Sequence, residues 1–335
     1  MIQKRTLLVI TVAAVAVAAT VWVSFLQKEQ KPEALNLVLG VELSLLTAPV
    51  WIAEYNGYFQ KNNLNLEIRG FTSGKASLAA MLKGERLDVI TVAQTPIMFN
   101  SFKTDSFAIV ATMVTSYSDM KLIVNSDSGI NSTLDLKGKK VGLTNGSTGE
   151  YFFSLVLLDS AVEPSTVEVI DIAPSGLPLA LKEGLVDAIC TWEPHAINAK
   201  RLIGDKASAL KTSDKLYRED FYFVANKHVL EVSPQAFIRF LSAIEEAEAF
   251  IHSNREEAKG IVSKRLNLDR VFVDALWDEF NYQLSLDQTV FLTLEDEARW
   301  AIANGLTDAT QIPNYLNYIN TGPLKKANPG AVKIY

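Results

Sequence analysis

The chain has 335 residues, 48% of them hydrophobic and 21% charged, with a formal net charge of −6. That length suits two domains, and that composition suits a packed core with a solvated surface, which excludes a disordered or low-complexity protein. The acidic balance excludes a nucleic-acid binder, which needs basic patches against phosphate. Removing Lys4 and Arg5 from the 32 basic residues leaves 30 against 38 acidic ones, a net of −8 on the rest of the chain.

In chain order, Lys4 and Arg5 precede a nearly unbroken apolar run from Leu7 to Leu26. A basic start followed by such a run directs export. Ala14, Ala16, Ala18 and Ala19 offer small residues for cleavage, while Val21, Trp22, Val23 and Phe25 carry the run to the length of a bilayer-spanning helix. Residues 1–26 therefore fit either a removed signal peptide or an N-terminal apolar helix kept as a signal-anchor. Either way the body is expected outside the cytoplasm, periplasmic or otherwise extracytoplasmic, and held to the inner membrane by residues 7–26 if they are uncleaved. No cysteine follows the run to take a lipid. Residues 27–35, polar and containing Pro32, read as a tether.

From Leu37 onward short β-branched runs alternate with helix-like stretches: LNLVLGV, LNLEIRGF, LDVITVA and FAIVATMV, then KLIVNS, KKVGLT, VEVIDIA and VDAICTW. The pattern predicts α/β layers, with mainly parallel sheets covered by helices. The two sets share a plan. Ser73-Gly74, a helical segment, Asp88, a strand and Thr95-Pro96 correspond to Ser175-Gly176, a helical segment, Asp187, a strand and Glu193-Pro194. Two similar lobes are expected, one from residues 36–122 and 222–335 and the other from 123–221. The chain would cross between them near Lys121–Ser126 and Phe221–Asn226. After the strand FYFVAN the chain reads as helical nearly to its end, with Ser233-Pro234 as a capped helix start and Phe237, Phe240, Leu241, Ile244 and Ile251 on one core face. Further helices are expected around 254–265, 269–280 and 295–304.

Solutes bind outside the carboxyl ends of strands in open α/β sheets, beside helix N-termini. Three strong helix starts fall there: Ser73-Gly74-Lys75, Thr95-Pro96 and Gly146-Ser147-Thr148-Gly149. Each would present unpaired N–H groups to an anion, or would simply cap its helix; Ser147 with Glu150 reads as a capping box. Trp192 ends a strand and offers a flat ring for closing over a small solute, or a core side chain. Glu193 beside it would pair with a ligand amine or face water. The sequence has no nucleophile elbow, no phosphate loop and no paired-histidine or paired-cysteine motif, and its three histidines are scattered, so neither an enzyme, a cofactor nor a metal is indicated. The lone Cys190 rules out an intrachain disulfide and reads as a buried strand position.

The segments TAPVWIAEYNGYFQKNNLNLEI, FTSGKASLAAMLKGERLDVITVAQTP, DLKGKKVGLTNGSTGEYFF, ALKEGLVDAICTWEP and TGPLKKANPGAVKI run in one order across residues 37–333. In that order they resemble the nitrate/taurine/alkanesulfonate type of ABC transporter substrate-binding protein, whose superfamily includes binders of thiamine pyrimidine precursors. The resemblance implies a type II periplasmic-binding-protein fold, with a small polar solute, anionic or zwitterionic, held between the lobes. It implies an ABC permease and its ATPase as partners. It places Thr47, Ser73, Gly74, Gln94, Thr95, Thr148, Trp192 and Glu193 along the cleft, and Lys75 at the first helix start adds a cation there. Two rival functions stay open: a membrane-tethered sensory or scaffold module, and a pyrimidine-synthesis-type enzyme on the same fold.

Overall fold

A computed structural model describes residues 33–334. The apolar run and most of the expected tether lie outside the described residues. Among those described, no helix is long and apolar enough to cross a membrane.

Twelve strands are described: β1 (Leu35–Glu42), β2 (Leu64–Phe71), β3 (Val89–Ala93), β4 (Phe107–Ser116), β5 (Lys121–Asn125), β6 (Lys140–Leu143), β7 (Glu168–Asp171), β8 (Ala188–Thr191), β9 (Ala207–Ala209), β10 (Glu219–Asn226), β11 (Phe280–Asp287) and β12 (Val332–Lys333). They form a seven-stranded sheet in the order β12-β11-β4-β10-β3-β1-β2 and a five-stranded sheet in the order β7-β6-β8-β5-β9. Helices cover the faces, so the central strands are apolar on both sides; all five residues of β3 and all four of β8 are buried.

The five-stranded sheet shows how a period of two builds this layering. Leu122, Val124, Ala188 and Cys190 face one way, under the helix Thr148–Asp159. Ile123 and Ile189 face the other way, against Leu177 and Leu181 of one helix and Ala196 and Ala199 of the next. Burial pushes the Cys190 thiol far up, leaving it inert inside the sheet.

Neither sheet is mainly parallel, as the alternating pattern had suggested. β1 with β3, and β6 with β7 and β8, are parallel. β10 runs antiparallel to both β3 and β4, and β5 antiparallel to both β8 and β9. Both reversed strands are those entered on passing from one sheet to the other, and an incoming strand has no crossover helix to turn it parallel. The passages themselves lie at residues 117–120 and 210–218. They precede the expected segments by a few residues, because Lys121–Asn125 is already strand paired on both edges and β10 already begins at Glu219.

The helical reading after Asn226 needs one correction. The helix Pro234–Ser253 does bury Phe237, Phe240, Leu241, Ile244 and Ile251, although the Ser233 side chain makes no cap. The expected helix over 269–280 stops at Leu276, and Phe280–Asp287 is a strand in register with β4. Its residues alternate, with Phe280, Tyr282, Leu284 and Leu286 buried.

Candidate functional site

The carboxyl ends of β1, β3 and β8 and the start of β10 converge on one cleft between the two sheets. There they enclose a cavity of about 20 Å³ lined by Glu42, Ser73, Gly74, Lys75, Ala93, Pro96, Ser147, Thr148, Trp192, Glu219 and Phe221. That volume holds roughly one water-sized group.

On the seven-stranded side, Ser73 caps the helix Gly74–Leu82 by accepting from the Ala76 N–H at 3.2 Å. The N–H of Gly74 at that start is taken by Glu42 Oε2 at 2.7 Å. Gly74 is needed where it stands. A Cβ there would lie 2.6 Å from the Val92 Cα and 2.9 Å from the Thr91 carbonyl oxygen, because the helix end rests on β3.

From the five-stranded side Trp192 reaches across, and its Nε1–H donates to Glu42 Oε1 at 3.1 Å. The same ring joins the core cluster around Phe152, Phe153 and Tyr217, so it is at once wall and core. Its edge also meets His195 at a centroid distance of 5.6 Å. Three further contacts span the two sheets' elements. Lys75 donates its ammonium to the Asn145 carbonyl, Lys121 pairs with Glu279 at 2.7 Å, and the Tyr151 and Trp300 rings meet edge-on at 5.0 Å.

Four buried carboxyls give the cleft its electrostatic character. Burial pushes Glu42 up to about 8, with the Asp119 charge adding to it, while the Gly74 N–H and the Trp192 N–H pull it back. Burial raises Asp119 to about 7. Glu219 faces Asp119 and stands well above the carboxylate range, again through burial first and the Asp119 charge second. Glu193 is raised by burial as well. Neither Asp119 oxygen, nor Glu219 Oε2, receives a hydrogen bond from a protein N–H or O–H group. Two facing carboxyls can only bond to each other by sharing a proton.

Of the residues expected at the cleft, Ser73, Gly74, Lys75, Thr148 and Trp192 line the cavity, and Thr47, Gln94, Thr95 and Glu193 do not. Thr47 spends its hydroxyl on the Glu42 and Ser44 carbonyls while accepting from Trp51 Nε1 at 3.0 Å, which fixes the turn after β1. Gln94 clamps β10 by bonding the Arg218 carbonyl and the Asp220 N–H. Thr95 lies against the fully buried Glu297 on the helix Thr289–Ala303. Glu193 caps the next helix by accepting from the Ile197 N–H at 2.9 Å. The expected capping box at Ser147 is shifted: Glu150 reaches back to the Gly146 N–H at 2.6 Å, and Ser147 accepts from Gly149. Sequence reasoning missed Glu42, Glu219 and Asp119. The available signal was an acidic residue closing or opening an apolar strand, as in LNLVLGVE and EDFYFVAN.

Residues 46–258 match the family model described as NMT1/THI5 like. The chain belongs to that family. A Brucella abortus protein named as a binding protein is 28% identical over 221 residues, covering 65% of this chain and 67% of that protein. A Bacillus subtilis protein named for binding aliphatic sulfonates is 26% identical over 240 residues, 70% of this chain and 71% of that one. The solved alkanesulfonate-binding protein SsuA of Xanthomonas axonopodis, bound to MOPS, superposes with a TM-score of 0.73 at 18% identity, over 90% of this chain and 99% of that one. The family member described here thus has the periplasmic-binding-protein fold.

Proposed function

We propose that this protein is the extracytoplasmic solute-binding component of an ABC importer, which closes two lobes around a small polar solute and hands it to a membrane permease driven by an ATPase. The lobes are the two sheets with their helices, and the hinge is the pair of passages at 117–120 and 210–218. Ser73, Gly74, Thr148 and Trp192, with Glu42 and Glu219, form the contact surface, and Lys75 latches the cleft. The observation that carries this reading is the Trp192–Glu42 contact, which joins a strand end of each sheet beside one shared cavity. Family membership and relatives named as binding proteins support it. A binding role is the one that relatives named as binding proteins support. The basic residues ahead of the apolar run support an exported body, with residues 7–26 as signal or anchor.

The test is a thermal-shift screen of the full chain against amines, aminosulfonates, alkanesulfonates, nitrate and pyrimidines, paired with small-angle scattering. A solute at 100 times its Kd should stabilise the folded protein by about 2.7 kcal/mol, and scattering should show a tighter particle with the same solute. Screening without any saturable shift, and scattering curves unchanged throughout, would overturn the reading.

A further inference from the structure

We propose that the cleft holds its solute by a protonated, N–H-bearing nitrogen, so that the solute is a small organic cation or a zwitterion gripped at its ammonium end. This rests on the solute-binding function proposed above and names the chemistry of the same site. Three observations carry it.

First, the helix start at Gly74, one of those that line the cavity, is already filled from within the chain. Glu42 puts one carboxyl oxygen on the Gly74 N–H and the other on the Trp192 Nε1–H, so the positive end of that helix faces a resident carboxyl. Second, the cavity lining carries more acid than base. Glu42 and Glu219 line it, Asp119 stands against Glu219, and the one basic lining residue, Lys75, is exposed and gives its ammonium to the Asn145 carbonyl. Behind them Lys121 is engaged by Glu279, and Arg218 by Asp220 and Thr289. An added anion would hold these carboxyls in their neutral forms and, wherever one ionised, would meet like charge at short range in a low-dielectric cleft. Third, Glu219 is only 4% exposed, lines the cavity, and has an oxygen that no protein donor reaches. The Asp119–Glu219 pair is satisfied only by a shared proton; when an incoming cation displaces that proton both carboxylates accept and neither donates, so what satisfies them must bring N–H or O–H groups. The Trp192 and Phe221 rings line the same cavity, and a cation is attracted to an aromatic face.

Protons should leave as the cation enters. Glu42 faces Asp119; Glu219 faces Asp119, Glu42 and Asp220; Asp119 also faces Glu193, Lys121, Glu279 and Tyr282. Burial holds Glu42 at about 8 and Asp119 at about 7, so both are partly protonated at neutral pH. A bound cation favours their ionised forms, and affinity for it must rise with pH until those groups are ionised without it.

Isothermal titration of the full chain with matched probes tests this. The probes are propylammonium, 2-aminoethanesulfonate, ethanesulfonate, nitrate and tetramethylammonium. The first two should bind, at least about tenfold more tightly than ethanesulfonate and nitrate, and should tighten about tenfold from about pH 6 to about pH 8. Glu219→Gln should weaken them about tenfold or more, and circular dichroism should show the variant folded. Ethanesulfonate or nitrate binding as tightly as its amine counterpart, with Glu219→Gln neutral, would overturn the cation assignment and leave the solute-binding function intact. Tetramethylammonium matching propylammonium would overturn the N–H requirement. Scattering closure with none of these probes, nor any solute of the wider screen, would sink both readings.

Discussion

The two sheets are built from the same piece, used twice. Asp88 accepts from the Val38 N–H at 2.7 Å and donates its own N–H to the Val38 carbonyl at 2.9 Å. Asp187 does the same with Lys140, at 2.8 Å for both bonds. Two residues on, Gly40 pairs with Ile90 and Gly142 pairs with Ile189; a Cβ at Gly40 would meet the Ile90 Cγ2 at 3.1 Å, and one at Gly142 would meet Leu177 and Ile172 methyls before the Ile189 Cγ2 at 3.4 Å. Counting on from there, the partners diverge at the strand ends. Glu42 corresponds to Thr144, whose hydroxyl turns to the Ile172 carbonyl at 2.7 Å. Ala93 corresponds to Trp192, and both line the cavity, the small residue leaving the room that the large one enters. The duplicated framework supplies a place where strand ends meet. The chemistry of that place comes from a few residues that break the duplication.

The largest expected effect tests the difference between the two helix starts. Gly74 rests on β3 so closely that alanine would press its Cβ into backbone, whereas at the matching Gly176 an added Cβ meets only the Ile172 Cγ2 at 3.2 Å. Gly74→Ala should therefore cost about 3 kcal/mol, since strand and helix must separate. Gly176→Ala should stay within about 1 kcal/mol of neutral, since a side-chain methyl can move and the alanine reduces unfolded-chain entropy. Denaturant melts of both variants measure this. Equal losses would show that the second helix is seated as tightly as the first.

A smaller effect isolates the carboxyl that the second sheet lacks. Glu42 and Asp119 have folded-state values near 8 and 7, above their ordinary values of 4.5 and 3.8. The folded protein then holds protons that the unfolded chain has lost. The stability these two groups contribute is complete below about pH 4 and is lost as pH rises through the 7 to 8 range. The melting temperature without added solute should decline from about pH 5 to about pH 8, by the equivalent of on the order of 2 kcal/mol. Glu42→Gln cannot ionise and should flatten part of that slope, leaving the share owed to Asp119 and Glu219. An unchanged slope would move the titration away from Glu42.

Much of the framework could be read from the amino acids because it rests on local signals. The runs ending at Glu42, Ala93 and Thr191 are strands because they are short, apolar and β-branched. The repeat centred on Asp88 and Asp187 is visible because each aspartate performs the same local task. Strand direction was not legible, since whether β5 and β10 run antiparallel depends on where the chain returns. β11 is hard to read although FNYQLSLD alternates cleanly, because helical segments on both sides mask a single short period-two stretch. The site divides the same way. Ser73 and Gly74 announce themselves as a helix start, but Glu42 reaches that start through the sheet from 32 residues earlier. Thr47 and Gln94 looked available because polar loop residues usually are. Both are buried, and the hydrogen bonds they make go to neighbouring backbone and Trp51.

The smallest effect on stability, and the sharpest on motion, belongs to the latch. Lys75 and Lys121 both tie the two sheets' elements together, but in different settings. The Lys121 and Glu279 side chains are 17% and 25% exposed, close to the passages that join the sheets. Lys75 is exposed at the mouth of the cleft and grips only the Asn145 carbonyl. An exposed bond of this kind contributes under about 1 kcal/mol, since water offers the ammonium an equal partner. Lys75→Ala should therefore leave the melting temperature nearly unchanged. Opening, however, loses only what the open form lacks, and the Lys75 bond exists only when the two sides meet. Even about 0.7 kcal/mol changes the ratio of closed to open forms about threefold. Small-angle scattering of the variant should show a larger mean radius than the parent, and Lys75→Arg should restore it. A variant that loses several degrees of melting temperature with no change in scattering would make Lys75 part of the core support of its helix instead of a latch.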